Sequence, residues 1–153
     1  WPTATGQAVL ETVRQYGAFL IEDEWAHDLA IDADPQPIAA FDDDGHVIYL
    51  RSLTKSVSPA IRVAAVIARG PARERILTDR AAESMYVSGL LQAAALDVVT
   101  QPAWRTHLRG FRDQLRTRRD LLLTSLQTHT PSVHIETIPV GGLNLWVHAR
   151  RGA

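Results

Sequence analysis

The chain has 153 residues, 46% hydrophobic and 22% charged, the composition of one ordinary globular domain. A formal net charge of −1 excludes a strong overall field for nucleic acid or an anionic membrane. The absence of cysteine excludes disulfides, thiolate metal sites and cysteine nucleophiles, and no stretch approaches the roughly 20 apolar residues of a membrane-spanning helix.

Residues 5–15 carry Ala8, Val9 and Val13 at helical spacing, and Gly17 follows as a stop signal. Ala18-Phe19-Leu20-Ile21 is an apolar run ending in Glu22-Asp23-Glu24, the pattern of a buried strand with polar groups at its carboxyl end. Residues 32–44 hold two prolines and close on Asp42-Asp43-Asp44 before Gly45, so a loop with one short helix over 38–41 is expected. Residues 47–50 and 63–68 read as further strands, the latter closed by Gly70-Pro71. Alternating helix and apolar strand predicts an α/β layer around a buried sheet.

The remainder reads as largely helical. Pro71 opens a helix. Residues 89–99 are apolar nearly all round, which predicts burial on both sides. Residues 102–128 form a long helix with Trp104, Leu108, Phe111, Leu115, Leu122 and Leu126 on one face. Its other face carries Arg105, Arg109, Arg112, Arg116 and Arg119, suited to solvent or a neighbouring domain. Residues 134–138 and 143–147, joined through Gly141-Gly142, read as a hairpin or edge pair.

Of the 16 basic residues only Lys55 is a lysine. Arginine serves ion pairs and phosphate contacts, but only the lysine amine can lose its proton and form an imine. Lys55 sits beside Ser52, Thr54 and Ser56, with Arg62 seven residues on, between the second and third strands. Hydroxyls and a guanidinium are good phosphate ligands. Ligands of α/β sheets gather outside the carboxyl ends of the strands, where both Asp23 and Ser52 are expected. The plainer readings are a strand-end acid for Asp23, a turn residue for Ser52 and a surface ion pair for Arg62. The six histidines show no metal-ligand spacing, and no metal is expected.

Ser52-x-x-Lys55, the following Ser58-Pro59 and Arg62 resemble the lysine motif of class I/II, fold-type-I aminotransferases dependent on pyridoxal 5′-phosphate. Leu20-Ile21-Glu22-Asp23-Glu24-Trp25 resembles that family's strand ending in the aspartate that meets the pyridine ring, and Pro2-Thr3 the tail of its Asn-Pro-Thr-Gly turn. Val47-Ile48-Tyr49-Leu50, His107-Leu108-Arg109-x-x-Arg112 and Gly141-Gly142-Leu143-x-Leu145-Trp146 resemble the MocR branch of GntR-type regulators. In that branch a winged-helix DNA-binding domain precedes an aminotransferase-like one.

The resemblance implies a partial three-layer αβα transferase large domain, a long helix, and the start of an α+β small domain. The corresponding boundaries are 1–100, 101–130 and 131–153. It implies that Lys55 holds the cofactor as an aldimine and later moves the α-proton. That chemistry asks for a share of free amine, through burial or neighbouring cations. Asp23 would pair with the pyridine nitrogen, Ser52 and Arg62 would hold phosphate, and Thr54 would assist. Trp25 stands where the family usually places a tyrosine on the cofactor's phenolic oxygen, and an indole can only donate. Trp1 falls at the position of the family's asparagine.

The chain opens on Trp1 rather than Met, and a piece of a longer protein is expected. The family's glycine-rich phosphate loop and its ring-stacking aromatic would precede Trp1, and its substrate-carboxylate arginine would follow Ala153. Turnover by these residues alone is therefore not expected. Three functions stay open. The first is the cofactor domain of a MocR-type regulator, cytoplasmic and homodimeric, binding an amino-acid effector and meeting DNA only through a separate winged-helix domain. The second is a stand-alone aminotransferase acting on an α-amino acid. The third is a degenerate, cofactor-free interaction domain.

Overall fold

The computed structural model describes residues 2–83 and 86–149, so Trp1, Arg150 and Arg151 lie outside the described residues. The chain divides into two compact units, residues 1–27 with 35–100, and residues 28–34 with 101–153.

The first unit begins with α1, Thr3–Gln15, which ends where Gly17 takes a left-handed φ of 58°. Two more residues complete that turn, so β1 runs over Leu20–Asp23, two residues later than the apolar run predicts. Glu22 and Asp23 thus belong to the strand itself. A 3₁₀ turn at Ile38–Phe41 matches the expected short helix. β2 spans Val47–Ser52 and β3 spans Ala64–Ile67. The sheet order is β1-β2-β3, with β1 parallel to β2 and β3 antiparallel to it. Leu10, Ile38 and Val47 form the core, with Val9, Leu20, Ala39 and Phe41 packed against it.

The acidic run has an internal role. Asp42 is buried, and its carboxylate accepts backbone N–H groups from Gly45 (3.2 Å), His46 (3.2 Å) and Val47 (2.8 Å). Gly45 has φ 86°, and a Cβ there would lie 3.1 Å from the Arg69 carbonyl oxygen, so both conformation and space require glycine. Asp44 takes a two-nitrogen contact from Arg14, which holds its carboxyl below the ordinary range.

α2, Gly70–Ala82, and α3, Gly89–Thr100, complete this unit. Here two expectations fail. All four residues of β3 are exposed, and α3 buries only Ala95 while Leu90 and Leu96 face solvent. An apolar composition sets what an element would gain by burial, and no described residue covers these faces.

In the second unit α4 spans Ala103–His129. Trp104, Leu108 and Phe111 are partly covered and Leu115 is buried, as the helical spacing predicts. Further along, Leu123 rather than Leu122 is the buried residue, at 8% against 48% exposed. The arginine face is partly engaged: Arg116 and Arg119 both pair with Asp32. Arg116 also donates to the Ile31 carbonyl (2.9 Å) and Arg119 to the Pro139 carbonyl (2.9 Å). The Arg119 guanidinium, then Arg116, hold the Asp32 carboxyl below its ordinary range.

The expected hairpin is much reduced. β4, Val133–His134, and β5, His148–Ala149, pair antiparallel over two residues each, outside the predicted second segment. Gly141 bridges to Ala30 instead, and a Cβ there would lie 3.0 Å from the Ala30 Cα. The Gly141-Gly142 pair therefore serves close backbone approach rather than a tight turn. Among the described residues no helix is long and apolar enough to cross a membrane.

Candidate functional site

The site begins with strand register. Leu20 pairs with Val47 and Asp23 with Leu50, and the Glu24 N–H continues the ladder to the Leu50 carbonyl at 2.9 Å. Side chains alternate along a strand and register partners share a face, so Asp23, Leu50 and Ser52 lie on one side of the sheet. Their spacing follows from sheet geometry: one strand separation and two residues of rise put the Asp23 and Ser52 α-carbons roughly 8 Å apart.

Beyond Ser52 the chain makes two turns. The Val57 N–H bonds the Leu53 carbonyl (2.9 Å) and the Ile61 N–H bonds the Ser58 carbonyl (3.1 Å). Ser56 and Ile61 are buried and anchor the loop, whereas Lys55 and Arg62 are exposed. Arg62 has φ 46°, the left-handed region that a residue with a Cβ rarely adopts, at a cost of about 1–2 kcal/mol. Such strain persists where surrounding structure imposes it and concentrates at functional sites.

The Ser52 hydroxyl donates to Thr54 Oγ1 (3.0 Å) and accepts the Thr54 N–H (3.2 Å), so in this state it is a turn residue. Asp23, Lys55 and Arg62 form no side-chain hydrogen bond or ion pair among the described residues. The surface ion pair weighed for Arg62 is thus not formed within them. Nor is the burial expected around the Lys55 amine present, because the described residues leave that side of the sheet open. Trp25, just past β1, is 40% exposed.

A second feature lies beside β1. A cavity of about 300 Å³ is lined by Pro2, Thr3, Gly6, Asp23, Glu24 and Phe41, among others. It brings the Pro2-Thr3 pair and Asp23 to one place. The Glu22 carboxylate, on the other face from Asp23, accepts the N–H groups of Ile38 (2.8 Å) and Ala39 (3.0 Å). Sequence reasoning gave Glu22 no part, and no local signal marks it, because its partners are sixteen and seventeen residues away. Among the described residues no cluster of acids and histidines could hold a metal.

The family model for aminotransferase class I and II matches residues 1–151. The chain belongs to this family. Among curated relatives of this chain is the uncharacterized HTH-type transcriptional regulator YdfD of Bacillus subtilis (strain 168), 35% identical over 129 residues, which are 84% of the chain and 27% of that protein. Aromatic-amino-acid aminotransferase 1 of Thermococcus litoralis is 26% identical over 145 residues, 94% of the chain and 35% of that protein. The solved kynurenine aminotransferase of Pyrococcus horikoshii, in complex with PMP, superposes with a TM-score of 0.85 and 25% identity. That match covers 97% of the chain and 37% of the solved one. Thermus thermophilus LysN, an α-aminoadipate aminotransferase, gives a TM-score of 0.84 at 23% identity over 99% of the chain and 40% of its own, a likeness of fold.

The fold is therefore that of a pyridoxal-phosphate transferase in part, as the sequence resemblance implies. Pyridoxal phosphate is the cofactor of the aminotransferase family. The donor set here fits it: two hydroxyls and a guanidinium for phosphate, one amine, and, on the same sheet face as Ser52, a carboxylate with no partner among the described residues. The chain spans between about a quarter and two-fifths of the length of these relatives.

Proposed function

We propose that this chain is the cofactor-holding part of the aminotransferase-like domain of a MocR-type transcriptional regulator, with Lys55 as the residue that binds pyridoxal phosphate. The observation that carries the reading is the register of β1 on β2. It sets the unpaired Asp23 carboxylate on the same face as Ser52, with Lys55 and the strained Arg62 in the loop directly beyond. In this reading residues 1–100 are the second half of the large domain, 101–130 the linking helix and 131–153 the start of the small domain.

Bound pyridoxal phosphate supplies an aldehyde that captures amines and a ring that draws electrons from the bond to be broken. The chain's own residues do the rest. Ser52 and Thr54, whose hydroxyls bond each other here, would hold the phosphate, and Arg62 would add a planar fork for two oxygens. Asp23 would meet the ring nitrogen and hold a proton there. Lys55 would offer the amine that fixes the cofactor and would move the proton at the substrate's α-carbon. Trp25 would stand where the family places a tyrosine on the cofactor's phenolic oxygen, and its indole N–H can donate but cannot take a proton. The regulator reading is favoured by YdfD and by a second B. subtilis HTH-type regulator, YisV, at 33% identity. It implies a homodimer, an amino-acid effector, and DNA contact through a separate domain.

The aminotransferase relatives favour a second reading, a stand-alone enzyme. Two measurements on the complete polypeptide decide between them. A visible cofactor band on adding pyridoxal phosphate, lost in Lys55→Ala, with amino-acid-dependent DNA binding and no keto-acid release supports the regulator. Keto-acid release at enzymatic rates without DNA binding supports the enzyme. A folded, colourless protein in excess pyridoxal phosphate overturns both and leaves a cofactor-free interaction domain.

A further inference from the structure

The strand end that carries Asp23 is fastened from behind. β1 is four residues long and pairs with β2 in the described sheet. Asp23 is its last residue, and beyond it a ladder bond runs from the Glu24 N–H to the Leu50 carbonyl. The second attachment at this end is Glu22. Its two carboxylate oxygens take the N–H groups of Ile38 and Ala39, the first residues of the 3₁₀ turn at Ile38–Phe41.

This is a two-point contact. One oxygen to each of two successive backbone donors fixes the carboxylate in orientation as well as position, and charge-assisted bonds of this kind are roughly twice as strong as neutral ones. The platform it grips is firm: Ile38 is buried in the core with Leu10 and Val47, and Ala39 and Phe41 pack against it. Val47 is also the register partner of Leu20, so the same core sets both ends of β1. Because successive side chains alternate, a strand held through Glu22 on one face presents Asp23 on the other.

We infer that Glu22 is a positioning residue: by bracing β1 against the 3₁₀ turn it fixes the height and direction of the Asp23 carboxylate at the cofactor's ring nitrogen. The inference rests on the reading that Asp23 faces bound pyridoxal phosphate. It gives Glu22 no contact with cofactor or substrate. The carboxylate is required for its two acceptor oxygens, so Glu22→Gln retains one acceptor and presents an N–H₂ to the other amide, while Glu22→Ala removes both.

The test uses the complete polypeptide with both variants, and Arg14→Ala as a comparison that breaks the remote Arg14–Asp44 contact. In the cofactor-free protein, hydrogen exchange at the Ile38, Ala39 and Glu24 amides should speed by at least tenfold in Glu22→Ala, less in Glu22→Gln, and not at all in Arg14→Ala. In the loaded protein, the pH at which the bound-cofactor spectrum changes should move in Glu22→Ala and move part of the way in Glu22→Gln. A general loss of stability would lower the melting temperature without moving that midpoint. Faster exchange at Ile38 and Ala39 with an unchanged Glu24 amide and an unchanged midpoint overturns the positioning role and leaves a cap on the 3₁₀ turn. A wild-type protein that takes up no pyridoxal phosphate overturns the site reading itself, and the inference with it.

Discussion

Asp42→Ala tests how the strand bearing Ser52 is held at its start. The side chain is 4% exposed and its carboxylate serves three backbone donors at the entry to β2. Truncation leaves Gly45, His46 and Val47 N–H groups without that acceptor. The Val47 bond is the shortest, at 2.8 Å, and Val47 is 3% exposed, so water cannot readily replace it. An unmet buried donor costs about 1–3 kcal/mol, and the two longer bonds net about 0.5–1.5 kcal/mol each. The sum is about 2–6 kcal/mol, centred on about 4 kcal/mol. Asp42→Asn should cost less, since one oxygen still accepts while its amide meets the third donor. Urea unfolding followed by circular dichroism, with the slope unchanged, measures the difference. A loss below about 1 kcal/mol for Asp42→Ala would show that water or neighbouring groups satisfy these donors and that Asp42 does not hold the strand.

Leu123→Ala should destabilise by about 2–3 kcal/mol and Leu122→Ala by less than about 1 kcal/mol, because the first is buried and the second half-exposed; equal losses in thermal unfolding would refute the observed helix rotation. Asp32 has its folded-state carboxyl lowered by Arg119 and Arg116, so its contribution is present above the unfolded value and lost as pH falls through the folded one. The stability gap between wild type and Asp32→Asn should hold steady above about pH 5 and close below about pH 4. A gap that persists in acid would contradict the pairing.

The sequence made helix positions legible wherever the periodicity was long, as over α1 and α4. The short helix at 38–41 was legible from its flanking prolines and acids. Strand ends were less so. β1 slipped two residues because the turn after Gly17 consumes Ala18 and Phe19, which composition cannot reveal. The hydrophobicity of α3 and β3 was read as burial, but burial is a property of a pair of surfaces, and a sequence shows one of them. Leu122 and Leu123 differ by one step of helical rotation, within the drift of the apolar stripe along a 27-residue helix. The candidate residues Asp23, Ser52, Thr54, Lys55 and Arg62 are legible from residue types, spacing and family resemblance. The strain at Arg62 and the bracing by Glu22 depend on tertiary geometry with no local signature.

The central claim is that the Lys55 amine is the cofactor's point of attachment. Incubating the complete polypeptide with pyridoxal phosphate, reducing it with borohydride and mapping peptides by mass spectrometry tests it. The account predicts one pyridoxyl group, on the peptide containing Lys55, with no label there in Lys55→Ala although that protein is as stable as wild type. No stable label at Lys55 in a folded wild-type protein would contradict it.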